Sequence, residues 1–228
     1  MGYVNNATDA VTDTIIRKIQ SGEWVPGMKI TTEEQFVNEL GVSRIAVRQA
    51  IERLSAISLL HKVQGSGTYV NSFENSSLQA MAYYPATLDR FLTVLEYRKE
   101  FDSSNARLFV EHATSEELEQ LRKNYVTMVN SKDKQNEFQI LENDFHMMIA
   151  RGTHNAIIQQ ISILLDQLLK RYQMLQYENI GPENSIKWHG RILEALESKD
   201  AEMAELCVKV HIENSIKYLT EKDNQIHL

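Results

Sequence analysis

This 228-residue chain is notable first for what it has little of. One cysteine, Cys207, excludes an intrachain disulfide framework and suits a reducing compartment. No N-terminal apolar run resembles a signal peptide, and no apolar stretch is long enough to span a bilayer, so a soluble cytoplasmic protein is expected, with no membrane partner. Internal repeats and low-complexity tracts are absent. Of its three prolines only Pro85 and Pro182 lie beyond Ser77, which leaves the rest of the chain free to be helical. Positive charge is also scarce. There are 24 Lys/Arg against 31 Asp/Glu, a net charge of −7, which argues against a general DNA coat or architectural protein.

The charge is unevenly placed. Up to Phe73, seven basic residues (Arg17, Lys18, Lys29, Arg44, Arg48, Arg53, Lys62) balance seven acids (Asp9, Asp13, Glu23, Glu33, Glu34, Glu39, Glu52). All of the net negative charge therefore sits in the remainder. With 43% hydrophobic residues, the chain can bury the cores of two modest domains.

The first part predicts short elements in a definite order. Val11, Ile15, Ile16 and Ile19 have helical spacing over Asp9–Ser21, and Pro26-Gly27 turns the chain into a short strand at Met28–Ile30. Thr32 caps a helix bearing Phe36, Val37 and Leu40. Gly41 ends it, and Ser43 caps the next, whose apolar face is Val47, Ala50, Ile51 and Leu54. Leu59–Val63 and Thr68–Val70 are the strands of a hairpin with a glycine-bearing turn. Helix, turn, helix and β-ribbon is the order of a winged helix-turn-helix, whose second helix enters the DNA major groove N-terminus first. Arg44 and Arg48, four apart, share one face of that helix near its start, and arginine both reads guanine and clamps phosphate. Thr32, Ser43, Ala46, Gln64, Gly65 and Gly67 complete the expected DNA-contacting set. The plain alternative is a solvated helix face and an ordinary hairpin.

Gly22, Pro26-Gly27, Gly41-Val42-Ser43-Arg44, Val47-Arg48, Ala50, Leu54 and Gly65-Ser66-Gly67-Thr68-Tyr69-Val70 resemble the N-terminal signature of GntR-family bacterial repressors. Two positions depart from it. Glu34 stands where the family commonly has a DNA-contacting arginine, and Ser58 where it has a glycine before the wing.

Asn71–Ser77 is polar and aperiodic and reads as a linker. Domains are expected at 1–72 and 81–228, with 73–80 between them. Beyond the linker the pattern predicts helices at Leu88–Glu111, Ser115–Val129, Gln135–Arg151, Ala156–Tyr177, Glu183–Glu197 and Ala201–Thr220, with Asn155 and Asp200 as N-caps and Gly152 and Gly181 as stops. The expected fold is mainly α, an N-terminal winged helix-turn-helix followed by an all-α antiparallel helical bundle.

Three histidines, His146, His189 and His211, each sit on an apolar helical stripe, and Glu142 lies one turn before the first. A hydrogen-bonded core histidine explains any one of them. Three on three helices with a carboxylate better match a metal site that would take Zn²⁺, Ni²⁺, Mn²⁺ or Fe²⁺ and leave positions open. Asp144, two residues from His146, falls almost on the opposite helix face. This part, about Leu88 to Leu219, resembles the metal-binding FCD sensor of FadR-type GntR regulators, which has an acid four before a Phe-His pair and two later histidines. The family's acid is usually aspartate, whereas this chain offers Glu142. The resemblance implies a homodimer on a short inverted repeat of double-stranded DNA. It further implies a divalent transition metal held by Glu142, His146, His189 and His211, and a small carboxylate effector that meets Arg98. Asp102, where glutamate is usual, reads as a structural polar contact. Three alternatives stay open: a metal-free sensor of an acyl-CoA-like or other bulky ligand, direct metal sensing, and a metal hydrolase. The last leaves the DNA-reading head unexplained, so no enzyme is expected.

Overall fold

The computed structural model describes residues 7–172 and 181–226. It divides into two compact units, 1–86 and 87–228.

In the first unit, α1 (Ala7–Gln20) lays Val11, Ile15 and Ile19 into a core shared with α3 (Arg44–Ala56) through Val47, Ala50, Ile51 and Leu54. Between them, α2 (Glu33–Leu40) is fixed by a reciprocal cap. Gln35 N–H donates to the Thr32 hydroxyl, while the Gln35 side-chain oxygen accepts from the Thr32 N–H. Phe36 anchors this helix edge-on against Trp24, ring centroids 6.0 Å apart. Ser43 caps α3 by accepting from the Ala46 N–H. β1 (Leu60–Val63) and β2 (Gly67–Val70) pair antiparallel, Leu60 opposite Val70 and Val63 opposite Gly67. The strand expected at Met28–Ile30 contracts to one bridge, Lys29 with Tyr69, because the chain meets β2 for only a few residues.

The segment expected to be a linker instead folds onto this unit. Phe73 and Tyr84 pack edge-to-face at 5.6 Å and join its core with Ala80 of the short helix α4 (Leu78–Met81). The Tyr84 hydroxyl donates to the Asn71 carbonyl and shares a hydrogen bond with Ser76, so apolar burial and polar pairing together hold residues 73–84 in place.

The second unit is helical: α5 (Leu88–His112), α6 (Ser115–Asn130), α7 (Gln135–Gly152), α8 (Ala156–Leu169), α9 (Pro182–Glu197) and α10 (Ala201–Ile226). Ion pairs Glu100–Lys209 and Arg107–Glu205 run in opposite senses along α5 and α10, which makes these helices antiparallel. α10 also packs on α9, and α7 lies against α5, α6 and α8. Asn155 caps α8, and the Asp200 carboxylate accepts from Met203 at the start of α10. The α8 helix ends at Leu169, and the last turn expected for it lies outside the described residues from 173 on. Gly181 was expected as a stop, and the residues before it lie outside the described ones. It has φ 76° and forms the N-cap of α9, ahead of Pro182 at the first turn. No helix among the described residues is long and apolar enough to cross a membrane.

Candidate functional site

In the head, α3 presents Arg44 and Arg48 to solvent from its first two turns, with Ile45 between them 70% exposed. Ala46, expected among the DNA-facing residues, is turned inward and 5% exposed, because a position two after Arg44 falls on the core side of the helix. Its backbone N–H is taken by the Ser43 cap. Gln64 and Gly65 are exposed at the hairpin tip. At Gly67 the backbone takes φ 148°, which L side chains rarely adopt, and the flexible end of Lys29 lies over the position a Cβ would fill. Glu34 is exposed, whereas Glu33 accepts a hydrogen bond from Arg48 Nε at 2.8 Å. Sequence reasoning missed two features. One is the exposure of Ile45, which its apolar character hides. The other is the Glu33–Arg48 pair, whose members are 15 residues apart.

In the bundle, three helices bring three imidazoles together. α7 carries His146, α9 His189 and α10 His211, with ring centroids 4.7 to 5.6 Å apart. One ring nitrogen from each lies within 4.8 Å of the others. His189 is fully buried and His211 5% exposed, while His146 is half-buried. Phe145, also fully buried, stands edge-on to His189 at 4.7 Å and closes one side.

The protonation pattern follows from the contacts. His189 Nδ1 lies 2.7 Å from the Ser185 carbonyl, which can only accept, so Nδ1 carries the proton and Nε2 turns its lone pair into the cluster. That Nε2 and the Nδ1 of His211 are buried with no hydrogen-bond partner. Burial holds all three imidazoles neutral. His189 is pushed down to about 4 by desolvation, against the opposing Ser185 carbonyl and helped by Arg98. His146 and His211 lie well below their ordinary value, first from burial and then from the charges of Arg98 and the neighbouring rings. Neutral imidazoles with unpartnered lone pairs, one steered by a carbonyl on its other nitrogen, have the donor character of metal ligands.

Glu142 is buried one turn before His146, and its Oε1 accepts from the Ser185 hydroxyl, which itself lies 3.3 Å from His189 Nδ1. Asp144 is exposed, as its helix position demands. Among the described residues the three histidines alone satisfy the mutual distances, and the Glu142 carboxylate borders them through Ser185. Cys207, a turn before His211, stays outside the cluster, with its thiol pKa raised by burial. Trp188 lies under the Arg191 guanidinium, 4.7 Å from the ring centroid.

Beside His146 is a void of about 20 Å³, lined on its polar side by Arg98, Asp102, Asn143, Ser162 and Asp166. Arg98 Nε donates to Asp102 Oδ2 at 2.6 Å, with both side chains nearly buried. Desolvation raises the Asp102 pKa more than Arg98 lowers it. Ser162 Oγ and Asn143 Nδ2 are buried without partners.

The comparisons with known proteins place both parts of the chain in known families. Residues 7–70 match the family described as "Bacterial regulatory proteins, gntR family", and residues 93–214 match the FCD domain. The chain is 24% identical over 229 residues to the galactonate operon transcriptional repressor of Escherichia coli, covering 95% of this chain and 98% of that protein. It is 24% identical over 204 residues to the regulator LutR of Bacillus subtilis, covering 86% and 93%. Among solved structures, Lar, which controls the expression of the Listeria monocytogenes agr system, superposes with a TM-score of 0.71 at 18% identity over 96% of this chain and 99% of that one. The families matched are transcriptional regulators rather than enzymes. With a reading head at one end and a histidine-lined bundle at the other, the chain belongs to the GntR family of bacterial transcriptional regulators, among those with a C-terminal FCD domain.

Proposed function

We propose that the chain is a cytoplasmic repressor whose affinity for its operator is set by a small carboxylate bound at a metal site in the bundle. The observation that carries this reading is the set of three imidazoles whose ring nitrogens converge, two of which, on His189 and His211, are buried with no hydrogen-bond partner. Leaving such nitrogens unpaired costs about 1–3 kcal/mol each, which a divalent ion would remove. His146, His189 and His211 would hold it, with Glu142 as the nearby carboxylate. A bound ion supplies a Lewis-acid centre for a ligand's oxygens. The donor set suits Zn²⁺, Ni²⁺, Mn²⁺ or Fe²⁺.

Arg98 is the group for the effector's carboxylate, and in the free protein Asp102 holds it in reserve. The unpartnered Ser162 and Asn143 groups favour an effector with hydroxyls, such as a hydroxy acid or sugar acid. The naming of one relative for the galactonate operon points the same way. A void of about 20 Å³ admits roughly one water, so any such ligand must open the bundle to enter. That requirement is what couples binding to shape, and a coupling of about 1–3 kcal/mol would change operator affinity about 5- to 150-fold. A bulky acyl-CoA-like effector fits so small a void less well. Two copies of the chain would address an inverted repeat, each inserting α3 with Arg44, Arg48 and Ile45, backed by Thr32, Ser43 and the wing residues Gln64, Gly65 and Gly67.

Elemental analysis of untagged protein tests the metal site. About one transition metal per chain is expected in the wild type and almost none in His189→Ala. Equal metal in the two proteins would refute the ligand set. Arg98→Ala should abolish the response of DNA binding to carboxylates while leaving DNA binding itself intact.

A further inference from the structure

The two arginines of α3 are not equivalent. Arg44 has no hydrogen-bond or ion-pair partner among the described residues, whereas Arg48 Nε donates to Glu33 Oε2 at 2.8 Å. We propose that Glu33 is a positioning residue that aims the Arg48 guanidinium at a guanine and divides the labour of α3, with Arg48 reading a base and Arg44 attracting the phosphate backbone. This inference rests on the reading of α3 as the helix that enters the major groove.

Three features support it. The anchor is rigid, since Glu33 opens α2 inside the Thr32–Gln35 capping box, and Phe36 seats the same turn in the core. The contact is also selective. It occupies Nε and leaves the two terminal nitrogens of Arg48 as a free fork, the pair of donors that guanine O6 and N7 can accept together. Finally, the pairing neutralises Arg48, which weakens its pull on phosphates of any sequence. That is consistent with a head whose basic and acidic residues balance. Fixing one long side chain before binding spares its ordering at the interface, an effect of about threefold to tenfold on affinity for the correct base. A surface ion pair with no aiming role would leave base preference unchanged.

Glu34 provides the matched control. It is the next residue and exposed, carries the same charge and makes no contact with Arg48. The experiment uses full-length protein to select binding sequences from duplexes with a randomised core. Wild type, Glu33→Gln, Glu34→Gln, Arg48→Ala and Arg44→Ala are then measured by fluorescence anisotropy on the selected duplex, its single-base variants and a random-sequence duplex, with thermal unfolding as a check on folding.

Arg48→Ala should flatten preference at one base pair, and Glu33→Gln should lower discrimination at that same pair about threefold to tenfold while tightening binding to random DNA. Glu34→Gln should tighten random binding without altering discrimination. Arg44→Ala should weaken all sequences alike and reduce the salt slope by about 1. If Glu33→Gln and Glu34→Gln behave alike while Arg48→Ala flattens one pair, Glu33 acts only through its charge and the positioning role is overturned. If Arg48→Ala flattens no position, or wild type selects no sequence, the reading of α3 fails and takes this inference with it.

Discussion

The head and the bundle keep their important groups in opposite states. In the head they are exposed and carry charge, and their local backbone is fully capped: Arg44 and Arg48 project from a helix whose first turn is held by Ser43. In the bundle they are buried, neutral and in part unpaired: His189 and His211 each keep a nitrogen without a partner. A surface that must meet DNA can leave its donors in water until the partner arrives. An interior that leaves ring nitrogens unpaired gives up stability in the free state, and only a bound species can restore it.

The largest effects should come from breaking each region separately. Phe36→Ala removes a fully buried ring from the head and should cost about 3–5 kcal/mol, enough to abolish DNA binding. Metal content should stay at the wild-type level, and a parallel loss of metal would show that the contrast between the regions is wrong. In the other direction, restoring a divalent ion to chelator-treated protein at a free concentration 100 times its Kd should stabilise it by about 2.7 kcal/mol in denaturant titrations. His211→Ala should abolish that gain. A variant that is stabilised just as much would place the ion elsewhere.

Much of this was legible in the sequence because it is local. Caps at Thr32, Ser43, Asn155 and Asp200 were readable from residue type and position, and all four make the expected hydrogen bonds. The three histidines were readable because each interrupts an apolar stripe. What escaped depends on distant or conformational partners. Asn71–Ser77 lacks any period, yet Phe73 within it and Tyr84 beyond it find each other and the head's core. Gly181 also caps the helix that follows it, a role the sequence did not single out because glycine adopts positive φ at either end of a helix. The Ser185 hydroxyl beside Glu142 comes from another helix, and the tautomer of His189 depends on a carbonyl that composition cannot reveal.

Ser58 illustrates the same limit and yields a smaller prediction. It occupies the place where the resembling family has glycine, and here it adopts φ 58°, a left-handed conformation that opposes its Cβ. Ser58→Gly should therefore stabilise the head by about 0.5–1 kcal/mol, the strain relieved being partly offset by a more flexible unfolded chain. An unchanged or lower midpoint in urea would mean that the serine side chain contributes more than its backbone strain removes.

The smallest effect separates the two regions by pH. Each contains a capping box on a threonine, Thr32 with neutral Gln35 in the head and Thr114 with ionisable Glu117 in the bundle. Either threonine changed to alanine should cost about 1 kcal/mol at neutral pH. The Glu117 carboxyl is held below its ordinary value first by its hydrogen bond with His154, then by the Thr114 N–H and, least, by the Thr114 hydroxyl that alanine would remove. Because its folded pKa is depressed, the stability it contributes is fully present above the ordinary value of 4.5 and fades as pH falls through the lower folded value. The group is partly solvated, so the contribution is a few tenths of a kcal/mol at most. The cost of Thr114→Ala should thus shrink on acidification, while the difference between Glu117→Gln and wild type closes over the same range. The cost of Thr32→Ala should stay constant there. If both threonine variants respond equally to acid, the bundle's cap draws nothing from its charge, and the distinction between a neutral and an ionised capping box disappears.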